Sequence, residues 1–263
     1  MQTQDEKKED PKEGELPAQG DMDWFEHLDE LRKRLLVSAY AWVVGAIVCY
    51  IFSTDILSIL KKPLIEILPK EHQNLYFTSI FENFLIHLRV SAYGGVVLAA
   101  PVILYQIWLF VSPGLYKKER HLLIPFVLLG SFFFISGTLF AYFFVFPAAF
   151  KFLIYFDTSG ETLPMITVKE YFGAAVKLLL VFGASFELPV VLVLLGLLGA
   201  VESKTLVKNR KWAIMIISIV CAFLSPPDIL SMIFMMIPIL IFYEGSIIVI
   251  RRIEKRESRS SPP

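Results

Sequence analysis

Residues 100–120 read APVILYQIWLFVSPGLYKKER, and this stretch shows how the chain alternates between apolar and charged segments. It begins inside an apolar run and leaves that run through aromatic residues that end with Phe110. Pro101 predicts a kink in the helix that the run would form. The stretch ends in a short basic loop with a single carboxylate, Glu119. An acid among basic residues, where an apolar run ends, predicts a docking site for a cationic ligand at a membrane surface.

The rest of the chain repeats this alternation, which predicts an all-α integral membrane protein. Hydrophobic residues make up 56% of the 263 positions and cluster in long runs, which is more than an ordinary soluble domain carries. Lysine and arginine number 25, as do aspartate and glutamate. Because the chain has no overall basic charge, its composition gives no reason to expect nucleic acid as a partner.

The apolar runs predict a bundle of six transmembrane helices, since a helix needs about 20 apolar residues to cross a bilayer. The predicted spans are residues 35–52, 90–110, 122–146, 171–198, 212–224 and 229–250. The fifth run is short, but Pro226 and Pro227 forbid a continuous helix between it and the sixth. Residues 1–22, which are acidic and polar, and residues 253–263 predict disordered cytoplasmic tails. Between them we expect one membrane domain, residues 23–252.

The basic residues that border the spans orient the bundle, because cytoplasmic loops carry an excess of lysine and arginine. They concentrate before the first span, after the second, after the fourth and after the sixth. These residues are Arg32, Lys33, Arg34, Lys117, Lys118, Arg120, Lys204, Lys208, Arg210, Lys211, Arg251, Arg252, Lys255 and Arg256. We therefore expect both termini and the loop of residues 111–121 on the cytoplasmic side.

A second carboxylate, Glu30, falls at the same surface in the segment HLDELRKRL, residues 27–35. The helical spacing of its leucines predicts the amphipathic start of a helix. Glu30 could pair with Arg34 one turn later, which would add a few tenths of a kcal/mol. Alternatively, Glu30 and Glu119 could accept a ligand with two adjacent arginines, because a carboxylate binds a guanidinium through two parallel hydrogen bonds. Glu119 also has basic neighbours of its own that it could simply neutralise.

Glu187 is the main polar anomaly inside the predicted spans. It lies in FGASFELP, residues 182–189, where an acid costs several kcal/mol unless it is paired, protonated or hydrated. Pro189 frees the carbonyl of Ser185, so the kink and the acid coincide, and we expect this part of the helix to face protein or water. Its candidate roles are a contact with a partner helix, local bilayer thinning, proton transfer or a structural hydrogen bond. Asp228 could cap the sixth helix.

The motifs of common enzyme classes are missing from the sequence. It contains no GxxxxGK[ST] phosphate loop, no HExxH zinc motif and no GxSxG nucleophile elbow. The four histidines lack the spacing of metal ligands. We therefore expect no catalytic residues, no metal site and no cofactor.

Taken together, these motifs resemble the TatC family, the multi-spanning core of the twin-arginine protein translocase. The likeness covers roughly residues 24–252. The segments that carry it are HLDELRKRL, KKPL, APVILYQIWLF, PGLYKKER, FAYFFVFP, FGASFELP and SPPD, in this order.

The resemblance implies a receptor in the bacterial cytoplasmic (inner) membrane. In that family the receptor binds the twin-arginine signal peptides of folded precursors at the cytoplasmic face, and the proton-motive force drives export. By motif, Glu30 and Glu119 would be the acidic contacts of the paired arginines, with Phe110 as their apolar neighbour.

The resemblance also implies partners within the membrane. These are the single-span subunits TatA and TatB, surrounding lipid, and further copies of the chain within a hetero-complex. Glu187 and Asp228 correspond to acids of the partner-facing surface. Met232 stands where we expect a polar amide, so that surface would rely on Ser225 or other groups instead.

Two other functions are open on the residues alone. A proton-coupled small-molecule transporter could use Glu187 as its proton carrier, although the chain has no detectable internal repeat. An intramembrane enzyme would have to rest on a serine–lysine pair that involves Lys177.

Overall fold

A computed structural model describes residues 24–68, 75–111, 123–155, 165–225 and 229–260. These residues form ten α-helices and one π-helical turn. The helices are α1 (Trp24–Ile51), α2 (Ser53–Ile67), α3 (Glu82–Val111), α4 (Leu123–Phe140), α5 (Phe146–Ile154), α6 (Val168–Ser185), α7 (Leu188–Leu197), α8 (Ser203–Lys208), α9 (Arg210–Leu224) and α10 (Ile229–Ser260), with the π-helical turn at Ala141–Val145. Within the described residues, extended pairing is limited to one bridge between Tyr76 and Thr167.

Five helical segments of the described chain are long and apolar enough to cross a membrane. They are His27–Ile51, Glu82–Phe110, Ile124–Ile154, Val168–Leu197 and Ile229–Arg256. They correspond to the first four predicted spans and the sixth, so the all-α membrane class is confirmed. The remaining predicted span is α9, whose 15 residues extend about 22 Å. Because the hydrocarbon core is about 30 Å thick, the count of six spans stays a prediction.

Three helices extend well beyond the predicted spans, and one of them is α3, which begins at Glu82, eight residues before its predicted span. α1 begins at Trp24, because the segment HLDELRKRL is helical and continuous with the apolar run. α10 continues to Ser260, so residues 253–260, which we expected to be disordered, extend the last helix instead. Their arginine, lysine and glutamate side chains are good helix formers, which explains the error. The predicted tail of residues 1–22 lies outside the described residues.

The interior of the bundle is rich in aromatic side chains. Phe146 of α5 and Phe182 of α6 are fully buried. Phe186, which follows α6, packs edge-on against Phe242 of α10 with ring centroids 4.8 Å apart. The same core includes residues from α2, α3 and α9. α6 is therefore held at the centre of the bundle.

α1 packs antiparallel on α3, and two glycines allow their backbones to touch. A Cβ atom on Gly45 would lie 2.8 Å from the Gly95 carbonyl oxygen, and one on Gly95 would lie 2.5 Å from the Ala46 nitrogen. The Trp42 indole adds a hydrogen bond of 2.8 Å to the Ala92 carbonyl. We call the end of the bundle with the α1 N-terminus the proximal end, and the end with α2 the distal end.

At the distal end, the Glu82 carboxylate joins α3 to α6. One oxygen, Oε2, accepts hydrogen bonds from the Thr78 amide and hydroxyl, both at 2.7 Å, and from the Ser79 amide at 3.2 Å. The other oxygen accepts the Lys169 amide in the first turn of α6 at 2.7 Å. Glu82 is only 5% exposed, and all its partners are neutral donors. A buried carboxylate with several such donors ties separate segments together.

Pro63 lies inside α2, and its missing N–H leaves the Ile59 carbonyl without the usual helical donor. The Tyr142 hydroxyl supplies that donor at 2.9 Å. Tyr142 belongs to the π-helical turn, in which the Phe146 amide bonds to the Ala141 carbonyl five residues back. Pro147 follows directly, and a widened turn avoids the clash of its ring with the preceding turn. The KKPL and FAYFFVFP segments therefore meet in the fold.

We predict that Gly95→Ala lowers the free energy of unfolding by about 1–3 kcal/mol, because the new methyl group would overlap the backbone of α1. Gly173→Ala is the matched control, since a Cβ there meets nothing within 4 Å. That change should be neutral or stabilising by up to about 1 kcal/mol. Denaturant titration in detergent micelles measures both. Equal effects of the two substitutions would contradict the close helix contact.

We predict that Tyr142→Phe costs about 0.5–1.5 kcal/mol and that this cost disappears in a Pro63→Ala background. An alanine at position 63 would supply an N–H group to the Ile59 carbonyl, so the tyrosine would no longer be needed. Tyr155→Phe is the control, because the Tyr155 hydroxyl bonds to the Ile67 carbonyl at 3.0 Å, away from the proline. Additive effects of Tyr142→Phe and Pro63→Ala would refute the coupling.

Candidate functional site

The proximal end brings together polar side chains of α1 and an aromatic side chain of α3. The rings of His27 and Phe110 stack with centroids 4.4 Å apart and an angle of 24°. Phe110 lies in the last turn of α3 and is half-buried. The structure thus places Phe110, which the sequence singled out, directly beside the segment that contains Glu30.

Glu30 and Arg34 form an ion pair in this region. The Arg34 Nη2 atom donates to Glu30 Oε1 at 2.9 Å, and Arg34 Nη1 donates across to Gln106 Oε1 of α3 at 3.3 Å. The Glu30 side chain is 22% exposed, and Gln106 is buried. The pairing with Arg34 that the sequence left open is therefore present. Because Arg34 also bonds to Gln106, the ion pair connects α1 to α3.

The polarity of the α1 start is opposite to that of an amphipathic helix on a soluble protein. Leu28, Leu31 and Leu35 are exposed, whereas Glu30 and Arg34 face α3. This arrangement suits a helix whose outer surface meets lipid and whose polar groups find partners inside the protein. The leucine spacing thus predicted the helix but not the direction of its apolar face.

The site keeps some capacity for a further ligand. Glu30 Oε2 makes no hydrogen bond within the described residues. The Arg34 Nε atom is buried and likewise lacks a partner there. The aromatic rings of Phe110 and His27 lie on the same surface. A carboxylate beside an aromatic ring is an arrangement that suits a planar guanidinium, which can both hydrogen-bond and stack.

Glu119 and Asp228 lie outside the described residues. The pairing of Glu30 with Glu119 therefore stays a prediction, as does any role of Asp228. Ser225, three residues before Asp228, is buried and caps the C-terminus of α9, where its amide bonds to the Cys221 carbonyl at 2.9 Å.

Glu187 lies at an interruption between two helices. α6 ends at Ser185 and α7 begins at Leu188, with Pro189 in its first turn. The interruption and the acid thus coincide in the structure. Pro101, by contrast, lies inside α3, which continues on both sides of it.

The Glu187 carboxylate borders an apolar groove of about 660 Å³ between α6, α7, α9 and α10. Its neighbours in the groove include Leu188, Ile216, Val220 and Ile239. Oε1 is buried without a hydrogen-bond partner among the described residues. On the other side, a Cβ atom at Gly130 of α4 would lie 3.0 Å from Oε2. The acid is therefore held between a glycine and an apolar groove, without a counter-ion in the described part of the chain.

Sequence reasoning missed His27 and Gln106 as members of the proximal site, and it considered Arg34 only as a partner of Glu30. The signal was present in the spacing. His27 precedes Glu30 by three residues, and Gln106 precedes Phe110 by four, so each shares a helix face with a predicted site residue. A search of those two faces would have found them.

We predict that Glu30→Gln lowers the free energy of unfolding by no more than about 1 kcal/mol, because partly exposed ion pairs contribute little. A double-mutant cycle of Glu30→Gln with Arg34→Gln measures the coupling. A coupling above about 2 kcal/mol would show that this pair holds the helices together. In that case, effects of Glu30 substitutions on ligand binding could not be separated from effects on folding.

Comparison with known proteins gives one consistent match. The family model described as Sec-independent protein translocase protein (TatC) matches residues 26–238. A TatC protein of Desulforapulum autotrophicum is 46% identical over 233 residues, which cover 88% of this chain and 85% of the relative. A TatC protein of Carboxydothermus hydrogenoformans is 39% identical over 238 residues, with coverage of 90% and 96%.

Solved structures agree with the sequence matches. A crystal structure of the twin arginine translocase receptor TatC is 35% identical, with a TM-score of 0.74, and covers 86% of this chain and 98% of its own. A second crystal structure of that receptor, in the detergent DDM, is 36% identical with a TM-score of 0.75, covering 85% of this chain and 99% of its own.

Proposed function

The chain belongs to the TatC family of Sec-independent protein translocase proteins, and we propose that it is the receptor that binds twin-arginine signal peptides of folded precursor proteins. The observation that carries this proposal is the proximal site. There Glu30, a half-buried carboxylate with one oxygen that makes no hydrogen bond within the described residues, lies near the stacked rings of Phe110 and His27. The likeness to the solved receptor supports it.

The geometry gives each residue of the site a task. Arg34 holds Glu30 through Oε1, and Oε2, which has no hydrogen bond within the described residues, would accept an incoming guanidinium. Phe110 offers a ring face beside it, on which a planar guanidinium can stack. Lysine has neither the planar fork nor the stacking face, so the site should prefer arginine. Glu119 would accept the second arginine of the pair, which makes two adjacent arginines the preferred ligand.

We place the proximal end and both termini in the cytoplasm of a bacterium, and the bundle in its inner membrane. Basic residues cluster at the start of α1, in α8 and α9, and in the last turns of α10, as the positive-inside rule requires. α9 would be the remaining span of a six-span domain of residues 23–252. A helix of that length can cross where the bilayer is thin or where protein surrounds it.

The groove beside Glu187 is the proposed contact for single-span partners, TatA and TatB. An acid that lacks a partner in the described chain favours a polar group on another helix. We also propose that the proton-motive force drives export.

Apart from Glu187 and Ser185, the side chains that line this groove are apolar, so the groove offers no second ionisable group for a proton relay. This argues against the alternative of a proton-coupled small-molecule transporter.

We predict that Glu30→Gln weakens binding of a synthetic twin-arginine signal peptide by about tenfold or more. A charge-assisted hydrogen bond contributes about 1.5–3 kcal/mol, and 1.4 kcal/mol corresponds to a factor of ten. Fluorescence anisotropy with the full chain in detergent measures the affinity, and a lysine–lysine peptide should bind the unchanged protein equally poorly.

Asp29→Asn is the matched control for this experiment. It removes the same charge from the neighbouring residue, whose side chain is exposed and lies off the α3-facing side. We expect Asp29→Asn to leave the affinity within about twofold, because exposed charges are screened by salt. An equal loss of affinity in both variants would show that Glu30 contributes only through the general surface charge. Unchanged binding by Glu30→Gln would show that the site lies elsewhere.

A further inference from the structure

We infer that the distal end carries a binding site for the phosphodiester group of a membrane phospholipid, formed by Arg89 and Lys169 beside Glu82. The site is separate from the proximal site and from the Glu187 groove, and it requires neither a signal peptide nor a protein partner. It lies where the first turns of α3 and the start of α6 meet.

The site is a cavity of about 180 Å³ between the two helices. Its polar lining comes from the loop before α3, from α3 itself and from the start of α6. The lining residues are Thr78, Ser79, Glu82, Leu85, Ile86, Arg89 and Lys169. The Ser79 hydroxyl makes no hydrogen bond within the described residues, and it adds a neutral donor to the two basic side chains.

The charges of the cavity favour an anion. Both oxygens of Glu82 are occupied by the amide and hydroxyl donors of the loop and by the Lys169 amide. The carboxylate therefore does not need the basic side chains, and neither Arg89 nor Lys169 forms an ion pair in the described part of the chain. Two cations against one satisfied anion leave a net positive charge. The α6 N-terminus contributes nothing, because its Lys169 amide already bonds to Glu82.

The depth of Arg89 matches the phosphate level of a bilayer. α3 has 30 residues and is about 45 Å long, so a hydrocarbon core of about 30 Å leaves about 7 Å at each end. Arg89 follows Glu82 by seven residues, which is about 10 Å along the helix. With α3 centred in the bilayer and parallel to its normal, the Arg89 backbone would lie just inside the hydrocarbon boundary. A long side chain at that depth extends outward to the headgroups.

The surface next to the cavity is suited to acyl chains. Leu85 lines the cavity and is exposed, as is Leu88 one turn further along α3. Phe81 and Phe84 are exposed at the same end, in the position where aromatic side chains lie at membrane interfaces. A free phosphate ion would gain nothing from these apolar side chains. A phospholipid would use them together with the basic pair, so we commit to a lipid as the occupant.

Native mass spectrometry of the full chain in detergent tests this inference, with phosphatidylglycerol as the added lipid. We expect Arg89→Gln/Lys169→Gln to weaken phosphatidylglycerol binding by about tenfold or more, since both charge-assisted contacts to the phosphate are lost. Arg89→Lys, which keeps the charge, should retain most of the binding. Lys62→Gln is the control, because Lys62 is an exposed lysine of the same end outside the cavity, and it should bind like the unchanged protein.

Two further measurements distinguish binding of the whole phospholipid from binding through its acyl chains alone or through phosphate alone. Diacylglycerol, which lacks the phosphate, should bind weakly and equally to all variants. Inorganic phosphate at millimolar concentration should not displace the phospholipid. Unchanged binding by the double variant, an equal loss in Lys62→Gln, or tight binding of diacylglycerol would each overturn the site. Displacement by inorganic phosphate would overturn the assignment of a lipid as its occupant.

Discussion

The close contact of Gly45 with Gly95 is the interaction on which the proximal site depends. Because neither residue has a side chain, α1 and α3 approach until their backbones touch, and this fixes an antiparallel register. Eleven residues further toward the proximal end, the same register sets Arg34 against Gln106. About two turns further along α1 and one turn further along α3, the rings of His27 and Phe110 come together. A shift of either helix would separate the carboxylate of Glu30 from the aromatic surface, although each helix would remain intact.

The second constraint is that lipid cannot satisfy backbone polar groups. At Pro63, which interrupts the helical hydrogen bonds of α2, the structure supplies a donor from elsewhere in the chain, because the Tyr142 hydroxyl bonds to the Ile59 carbonyl. Lipid also explains the polarity of α1, whose leucines face outward while Glu30 and Arg34 face α3. Glu82 at the distal end is surrounded by neutral donors, whereas Glu187 lacks a hydrogen-bond partner for one oxygen in the described residues. This difference separates an acid that joins segments of the fold from one that is buried beside an apolar groove without such donors among the described residues.

Hydropathy was sufficient to predict the helical membrane class and the approximate position of five spans, because the bilayer dictates the length and apolarity of a crossing helix. The extension of α10 past residue 252 was missed, since charged residues predict exposure without distinguishing a helix from a disordered tail. The roles of Gln106 and His27 could not be predicted from hydropathy, because they depend on the register of α1 on α3. That register is set by a glycine contact between residues 50 positions apart. The pairing of Pro63 with Tyr142 is a tertiary contact of the same kind.

Site-specific photo-crosslinking tests most directly whether a twin-arginine peptide binds at the proximal end. A photoreactive amino acid at position 110 reports on the proximal site. One at position 80 reports on the distal end, where Ile80 is 95% exposed. A twin-arginine signal peptide should crosslink from position 110 but not from position 80, and the crosslink should disappear when the two arginines are changed to lysines. A crosslink from position 80 alone, or one from position 110 that is indifferent to the arginines, would contradict the account.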